Sequence, residues 1–366
     1  MCLERFDPNA SRLGDPMDLS LAVIFADIVA NPLLLVVVLL VLAVIVVNGA
    51  TDAANAIATV VGTRSMKAGV AIAMAAICNF LGLIIMSFIS TAVADTISNM
   101  VNFSDSDSTT SLLVLCAAMV AIIVWGVSAW WFGIPTSHSH SLVAGLTGAA
   151  IAIHGFSAGV NWGEWMKVIY GLIVSVFLGF GLGWIIAKIT GKLFASANRY
   201  HAEKFFSGAQ IGAAAMLAFM HGAQDGQKFM SIAMMAIMID LGLSGQTVTY
   251  PLWIMVVCSL TMAIGTACGG KRIIKSVAME MTKLQKYQGF SAALAASLSI
   301  LFATLTGLPV STTATNTTAI MGVGAEKRLS SVNWGSAKNM VLTWIITFPG
   351  CGLLGWVMAK LFMLFP

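Results

Sequence analysis

Long apolar runs separated by short polar links fill this chain. A first set covers residues 33–47, 68–89, 112–132, 142–153 and 166–189, and a second covers 208–220, 229–239, 252–267, 290–305, 318–323 and 340–362. Runs of this length predict membrane helices, which satisfy their own backbone hydrogen bonds, rather than barrel strands. Several fall short of the roughly 20 helical residues needed to cross a hydrocarbon core of about 30 Å. The short ones sit beside polar motifs. Residues 33–62 and 208–239 are therefore expected to form broken helices, each interrupted at a Gly-Ala-x-Asp. Such a break is tolerable at membrane depth only where it lines a polar cavity. Residues 19–29 are too short to span and are expected to lie along the interface.

The polar interruptions come in pairs. The segment Val47-Asn48-Gly49-Ala50-Thr51-Asp52-Ala53-Ala54-Asn55 aligns with Met220-His221-Gly222-Ala223-Gln224-Asp225-Gly226-Gln227-Lys228. Gly133-Ile134-Pro135-Thr136-Ser137 matches Gly307-Leu308-Pro309-Val310-Ser311. Asn161-Trp162-Gly163 matches Asn333-Trp334-Gly335, and Gly183-Trp184 with Ala187-Lys188 matches Gly355-Trp356 with Ala359-Lys360. All recur in one order at a near-constant offset of roughly 173 residues, the mark of an internal duplication. In a membrane protein, two halves that each carry a polar interruption point to a transporter whose site lies between them.

Composition agrees. The chain is 58% hydrophobic and 9% charged, where a soluble domain carries about 25% charge. A water-facing surface cannot be built from this, so the protein is an integral membrane protein. The 34 glycines suit close helix packing. No basic domain or aromatic–basic cluster points to nucleic acid. The six cysteines, Cys2, Cys78, Cys116, Cys258, Cys268 and Cys351, form no CxxC pair and read as packing residues rather than disulfides or metal ligands. The start of the chain carries Glu4, Asp7, Asp15 and Asp18 against Arg5 and Arg12, unlike the basic start of a signal peptide. The first span is expected to act as an uncleaved insertion signal.

Charge placement orients the spans. Lys188, Lys192, Arg199 and Lys204 occupy one link, and Lys271, Arg272, Lys275, Lys283 and Lys286 another. Arg64 with Lys67, and Lys327, Arg328 with Lys338, occupy two more. These links should be cytoplasmic, whereas 95–110 and 240–250, which lack basic residues, should be outside. Five crossings per half then invert the second copy and leave both termini outside. The expected fold is an all-α polytopic membrane protein of two inverted repeats with about five crossings each. Counting broken segments and hairpins separately gives twelve helices instead. The organisation reads as an N-terminal segment (1–31), a first transmembrane repeat (32–190), a cytoplasmic linker (191–206) and a second repeat (207–366).

Asp52 and Asp225 are the strongest site candidates. A carboxylate at the bilayer centre costs at least about 2.5 kcal/mol, and two at matching positions argue against accident. They suit cation or proton binding beside a substrate; the bland alternative is helix capping. Lys228, in the position of Asn55, could pair with Asp225 across a helical turn or offer a point charge to an anion. The second duplicated element is rich in hydroxyls: Thr136-Ser137-His138-Ser139-His140 in one copy, Val310-Ser311-Thr312-Thr313 in the other. Ser and Thr at helix starts expose backbone N–H groups and hydroxyl donors, a receptor for an oxyanion such as phosphate, although ordinary capping uses the same residues. His138 and His140 have no Cys or carboxylate near them in sequence, so a proton-linked or hydrogen-bonding role fits better than a metal site. His221 flanks the second motif as a brace. The methionines around Met230, Met234, Met235 and Met238 read as packing or lipid-facing surface.

At these residues the chain resembles a known family. Gly49-Ala50-Thr51-Asp52-Ala53-Ala54-Asn55-Ala56 is similar to the GANDVANA signature of the PiT inorganic phosphate transporters, and Pro135-Thr136-Ser137-His138-Ser139-His140 with Pro309-Val310-Ser311-Thr312-Thr313 resembles that family's paired P-x-S motifs. The resemblance covers nearly the whole chain. It implies phosphate symport driven by Na⁺ or H⁺, with no cofactor beyond the co-transported ion and no enzymatic activity. It also implies a multi-pass protein of the plasma or inner membrane that works as a homodimer in the lipid bilayer. It places phosphate among Asp52, Asn55, Ser137 and His138 from one half and Asp225, Lys228, Ser311, Thr312 and Thr313 from the other. The cation falls near Thr51, Asp52, Asn55, Gln224 and Asp225, with no resident metal. The departures are Thr51 and Gln224 in place of the usual Asn, and Asp225-Gly226-Gln227-Lys228 in place of Asp-Val-Ala-Asn. That Gly-Gln-Lys resembles bacterial members that couple to protons and take metal–phosphate complexes. The alternative substrate is sulfate or another tetrahedral oxyanion. Hydrogen phosphate can donate an O–H to a carboxylate and sulfate cannot, so two carboxylates favour phosphate.

Overall fold

The computed structural model describes residues 19–364 apart from 104–105, 133–135, 245, 247–248 and 281–283, and describes no side chains at 53, 54, 130, 269–280 and 336. The acidic start of the chain, the Gly133-Ile134-Pro135 motif, Asp105, and the side chains of Lys271, Arg272, Lys275 and Lys283 lie outside the described residues. What is described is helical. The first half contains α1 (Leu21–Ala30), α2 (Pro32–Thr51), α3 (Ala53–Gly62), α4 (Ala68–Ile89), α5 (Ala92–Asn99), α6 (Ser108–Phe132), α7 (His138–Ala158) and α8 (Trp162–Leu193). The second half contains α9 (Arg199–Asp240), α10 (Leu252–Glu280), α11 (Lys286–Leu305), α12 (Thr312–Lys327) and α13 (Trp334–Phe362). Seven of the described helical segments are long and apolar enough to cross a membrane. The helix α1 is short and exposes Leu21, Phe25 and Val29. It is fixed to α10 where Trp253 Nε1 donates to the Leu19 carbonyl at 2.8 Å.

The expected breaks at the two aspartates are corrected here. Between α2 and α3 the interruption is Asp52 alone, whose φ of −83° and ψ of −32° stay helical. Its N–H still donates to the Asn48 carbonyl at 2.8 Å. In the second copy there is no break: α9 runs for 42 residues straight through Asp225. The motif glycines serve packing rather than unwinding. A Cβ on Gly222 would strike the backbone of Asn79, and one on Gly226 the side chain of Leu83, so both let α4 lie close against α9. The interruptions fall instead at the second motif, before α7 and between α11 and α12.

Those glycines also expose the symmetry of the fold. Gly82 faces the Phe219 carbonyl where α4 crosses α9, and Gly49 with Gly265 faces Met262 and Val46 where α2 crosses α10. Gly183 and Gly322 bring α8 against α12 at Ala319 and Phe180, and Gly148 and Gly355 bring α7 against α13 at Gly352 and Gly145. Each crossing repeats with the halves exchanged, because small residues let helix backbones approach where apolar surface alone provides no drive in lipid. The link 241–251 is longer than the link 63–67, so α10 is displaced in sequence relative to α4, and this correspondence is visible only in space.

The helices that carry the two aspartates run in opposite directions. Asn31, which caps α2, donates to Asp240 at the end of α9 at 2.5 Å. At the far end Thr63, after α3, donates to Gln210 near the start of α9 at 2.8 Å. The pairs α6–α7 and α11–α12 are hairpins returning to the end they left, as Ser106 beside His154 and Lys327 over Tyr287 indicate. One end of the bundle collects Asp95, Tyr250, Asp107 and Asp240. The other holds a cavity of about 640 Å³ lined in part by Arg199, Lys286 and Lys327.

Two glycines of α9 separate the packing argument from helix propensity. Gly222→Ala should lower stability by about 1–3 kcal/mol, as overpacking does. Gly212→Ala, with open space beside it, should be neutral or stabilising. Thermal unfolding in detergent compares them, and equal Tm values would contradict the close crossing.

Candidate functional site

Two helix starts meet inside the bundle. Ser137 precedes α7 and Ser311 precedes α12, both with extended backbone. Ser311 Oγ accepts from the Ala314 N–H at 3.0 Å and donates to Ser137 Oγ at 2.7 Å. These serines occupy matching positions of the duplication, so the internal two-fold passes between them. The second loop turns back at Gly307, whose φ of +68° strains any side chain, and its carbonyl accepts from Thr96 at 2.9 Å. Each helix start directs N–H groups that have no partner within the helix itself, and about half a positive charge, toward the centre.

The middle of α9 supplies the other wall. Asp225 Oδ1 accepts from Lys228 Nζ at 2.7 Å and from Ser139 Oγ at 3.4 Å. Oδ2 accepts from Thr312 Oγ1 at 3.1 Å and from Asn48 Nδ2 at 3.4 Å, and His221 Nε2 lies 3.2 Å away. His221 Nδ1 lies 3.1 Å from Asn79 Oδ1 of α4, which orients the ring. Lys228 spends its remaining protons on Ser139 Oγ at 2.7 Å and the Val310 carbonyl at 2.6 Å. Asp225 and Lys228 are both 0% exposed, so this is a buried pair with its hydrogen-bonding capacity filled.

Asp52, 3% exposed, faces the same centre with fewer donors. Asn48 reaches it at 3.5 Å, and the His138 backbone N–H also points at it. Thr51 Oγ1 lies 2.6 Å from His138 Nε2. Asn55 donates to Thr313 Oγ1 at 3.0 Å, and its carbonyl accepts from Asn316 at 2.8 Å. One ligand atom each from Asp52, His221 and Asp225 lie within 4.8 Å of one another, a set that could hold a cation. Two carboxylates at that separation repel by about 3 kcal/mol at an effective dielectric constant near 20. A positive charge between them relieves this.

The residues singled out by sequence converge with two exceptions, Gln224 and His140. Asp52, Asn55, Ser137, His138, Asp225, Lys228, Ser311, Thr312 and Thr313 are all buried around one point, with Thr51 beside them. Gln224 turns away: it donates to the Leu308 carbonyl at 2.9 Å and accepts from Thr304 at 2.7 Å, bracing the α11–α12 loop. His140 points toward α13, between Phe348 and Trp344 at ring distances of 5.2 and 6.2 Å. Ser139, Asn48 and Asn79 belong to the cluster as well; the first two lie inside the quoted motifs without having been named as site residues, and Asn79 lies in none. For Ser139 the signal was available, since it is the counterpart of Thr313.

The profile of the phosphate transporter family matches residues 48–355. A probable low-affinity inorganic phosphate transporter of Bacillus subtilis (strain 168) is 40% identical over 323 residues, 88% of this chain and 95% of that one. One of the same description from Rhizobium meliloti (strain 1021) is 36% identical, covering 89% and 95%. Among solved structures, "The sodium-dependent phosphate transporter" shares the fold at a TM-score of 0.83 and 23% identity, covering 92% of this chain and 100% of that one. Motifs, buried geometry and a match across most of the chain agree: this protein belongs to the phosphate transporter family.

Proposed function

We propose that the protein is a secondary active symporter that carries inorganic phosphate into the cell with a cation, Na⁺ or H⁺, moving down its gradient. The observation that carries this reading is the meeting of Ser311 and Ser137, 2.7 Å apart at two facing helix starts, beside the carboxylates of Asp52 and Asp225. Helix starts and hydroxyls donate to phosphate oxygens. A carboxylate receives the O–H of hydrogen phosphate, and the cation offsets the crowded negative charge. The name of the solved neighbour supports Na⁺ as a coupling ion. In this reading the substrate contacts Asp52, Asn55, Ser137 and His138 from residues 32–190 and Asp225, Ser311, Thr312 and Thr313 from residues 207–366, while Lys228, whose protons go to Asp225, Ser139 and Val310, contributes its charge without a direct contact.

The basic end faces the cytoplasm and the acidic end faces outward in the plasma or inner membrane, so both termini lie outside. A cavity of about 540 Å³ opens at the acidic end, lined in part by Asn102, Asn161, Gln246 and Tyr250. Its floor reaches Met234, about 9 Å along α9 from Lys228, and it serves as the entry vestibule. Exposed apolar residues on α8, such as Ile173 and Phe177, meet lipid or a second copy in a homodimer.

Reconstituted protein should accumulate radiolabelled phosphate above equilibrium under an inward Na⁺ or H⁺ gradient, with little competition from sulfate. Uptake that never passes equilibrium under either gradient contradicts symport.

The two aspartates should differ in their cost. Asp225→Asn leaves the Lys228 ammonium buried without its carboxylate, and breaking such a pair costs roughly 3–5 kcal/mol. Asp52→Asn removes a carboxylate with few donors and should leave Tm nearly unchanged. Both should cut coupled uptake by on the order of tenfold or more, the effect of losing a buried charge contact. Uptake at the wild-type rate in either variant would reduce that aspartate to a structural role.

A further inference from the structure

Every proton of the Lys228 ammonium has an acceptor. A carboxylate oxygen of Asp225, the hydroxyl of Ser139 and the carbonyl of Val310 surround it at 2.7, 2.7 and 2.6 Å. Carboxylate, hydroxyl and main-chain carbonyl are the oxygen ligands that a hard cation takes. The internal two-fold carries this contact onto another: Lys228 corresponds to Asn55 and Ser139 to Thr313, and Asn55 Nδ2 donates to Thr313 Oγ1 at 3.0 Å. One of the three contacts therefore recurs in the other half while the charge does not. In the second half a protein cation sits on the aspartate. In the first half a neutral amide holds that position, and no lysine or arginine among the described residues pairs with Asp52.

From this asymmetry we infer that Lys228 is a tethered coupling cation. Its ammonium stands at the position that the neutral Asn55 holds in the first half, so each transport cycle carries one mobile cation fewer than two like halves would need. The inference rests on the symporter reading and adds the division of labour between the halves. A compact ammonium suits the task. Its three donors match three acceptors on different elements, α9, the start of α7 and the loop before α12, which a planar guanidinium would not.

The test replaces Lys228 by the residue of the first half. Full-length wild type, Lys228→Asn and the double variant Asp225→Asn/Lys228→Asn are purified, and thermal unfolding is followed without phosphate in sodium chloride and in choline chloride of equal ionic strength. Lys228→Asn should lose stability in choline and regain it in sodium, with a larger sodium-dependent rise in Tm than wild type. The double variant, with neither charge, should show no more sodium dependence than wild type. In proteoliposomes, the Hill coefficient for Na⁺ in phosphate uptake should rise in Lys228→Asn, by at most about one, the limit that one more coupled binding site sets. A sodium shift in Lys228→Asn no larger than in wild type overturns the inference. So does failure to purify Lys228→Asn in sodium when the double variant purifies. If the wild type does not accumulate phosphate, the symporter reading fails, while the Tm comparison still decides whether Lys228 occupies a cation position.

Discussion

Two carboxylates buried within 4.8 Å of each other inside a membrane-spanning bundle are the constraint on which this structure depends. Each is costly alone, and together they repel. No single helix can satisfy them. Asp225 draws donors from α9 itself, from α2 through Asn48, and from the starts of α7 and α12 through Ser139 and Thr312. Bringing four elements from both halves to one point requires hairpins whose tips stop inside the bundle and helices that pack close enough to let them in. The glycine crossings of α4 on α9, α2 on α10, α8 on α12 and α7 on α13 supply that proximity.

The duplication makes this economical. An antiparallel pair of copies places one aspartate and one hydroxyl-bearing helix start from each half on the same axis. The first copy then donates to the second and the reverse, as the Asn55–Thr313 and Lys228–Ser139 contacts do. Departures from symmetry are where function can become directional. Asn48 donates to both carboxylates, whereas its counterpart His221 sits 3.2 Å from Asp225 and only within 4.8 Å of Asp52. Asn55 is neutral, whereas Lys228 is a cation. A site with a permanently neutralised half and a half open to a mobile ion can respond to a gradient without carrying two uncompensated charges across the membrane.

Much of the candidate site was legible in the sequence because duplication marks positions without knowledge of contacts. Asp52 and Asp225, Ser137 and Ser311 stood out this way. The backbone at the aspartates did not. Gly-Ala-x-Asp in an apolar run reads as a break if the helix must solve its own polar problem, but here the donors arrive from α7 and α12, and α9 stays continuous through Asp225. Gln224 was misleading for a related reason: it sits next to Asp225 in sequence, yet one residue along a helix turns the side chain toward α11. Asn79 had no signal at all. Its partner His221 is far away in sequence, and the displaced register of α10 hides the correspondence between α4 and α10.

The most direct test of the central claim is to see the substrate. Electron cryo-microscopy of the full-length protein in lipid nanodiscs, with phosphate and sodium, should reveal tetrahedral density between the starts of α7 and α12. It should lie in contact with Ser137 and Ser311 and flanked by Asp52 and Asp225, with the Lys228 ammonium still on Asp225. Phosphate density confined to the cavity at the acidic end or to the basic cavity, with the centre between the helix starts closed, would contradict the account.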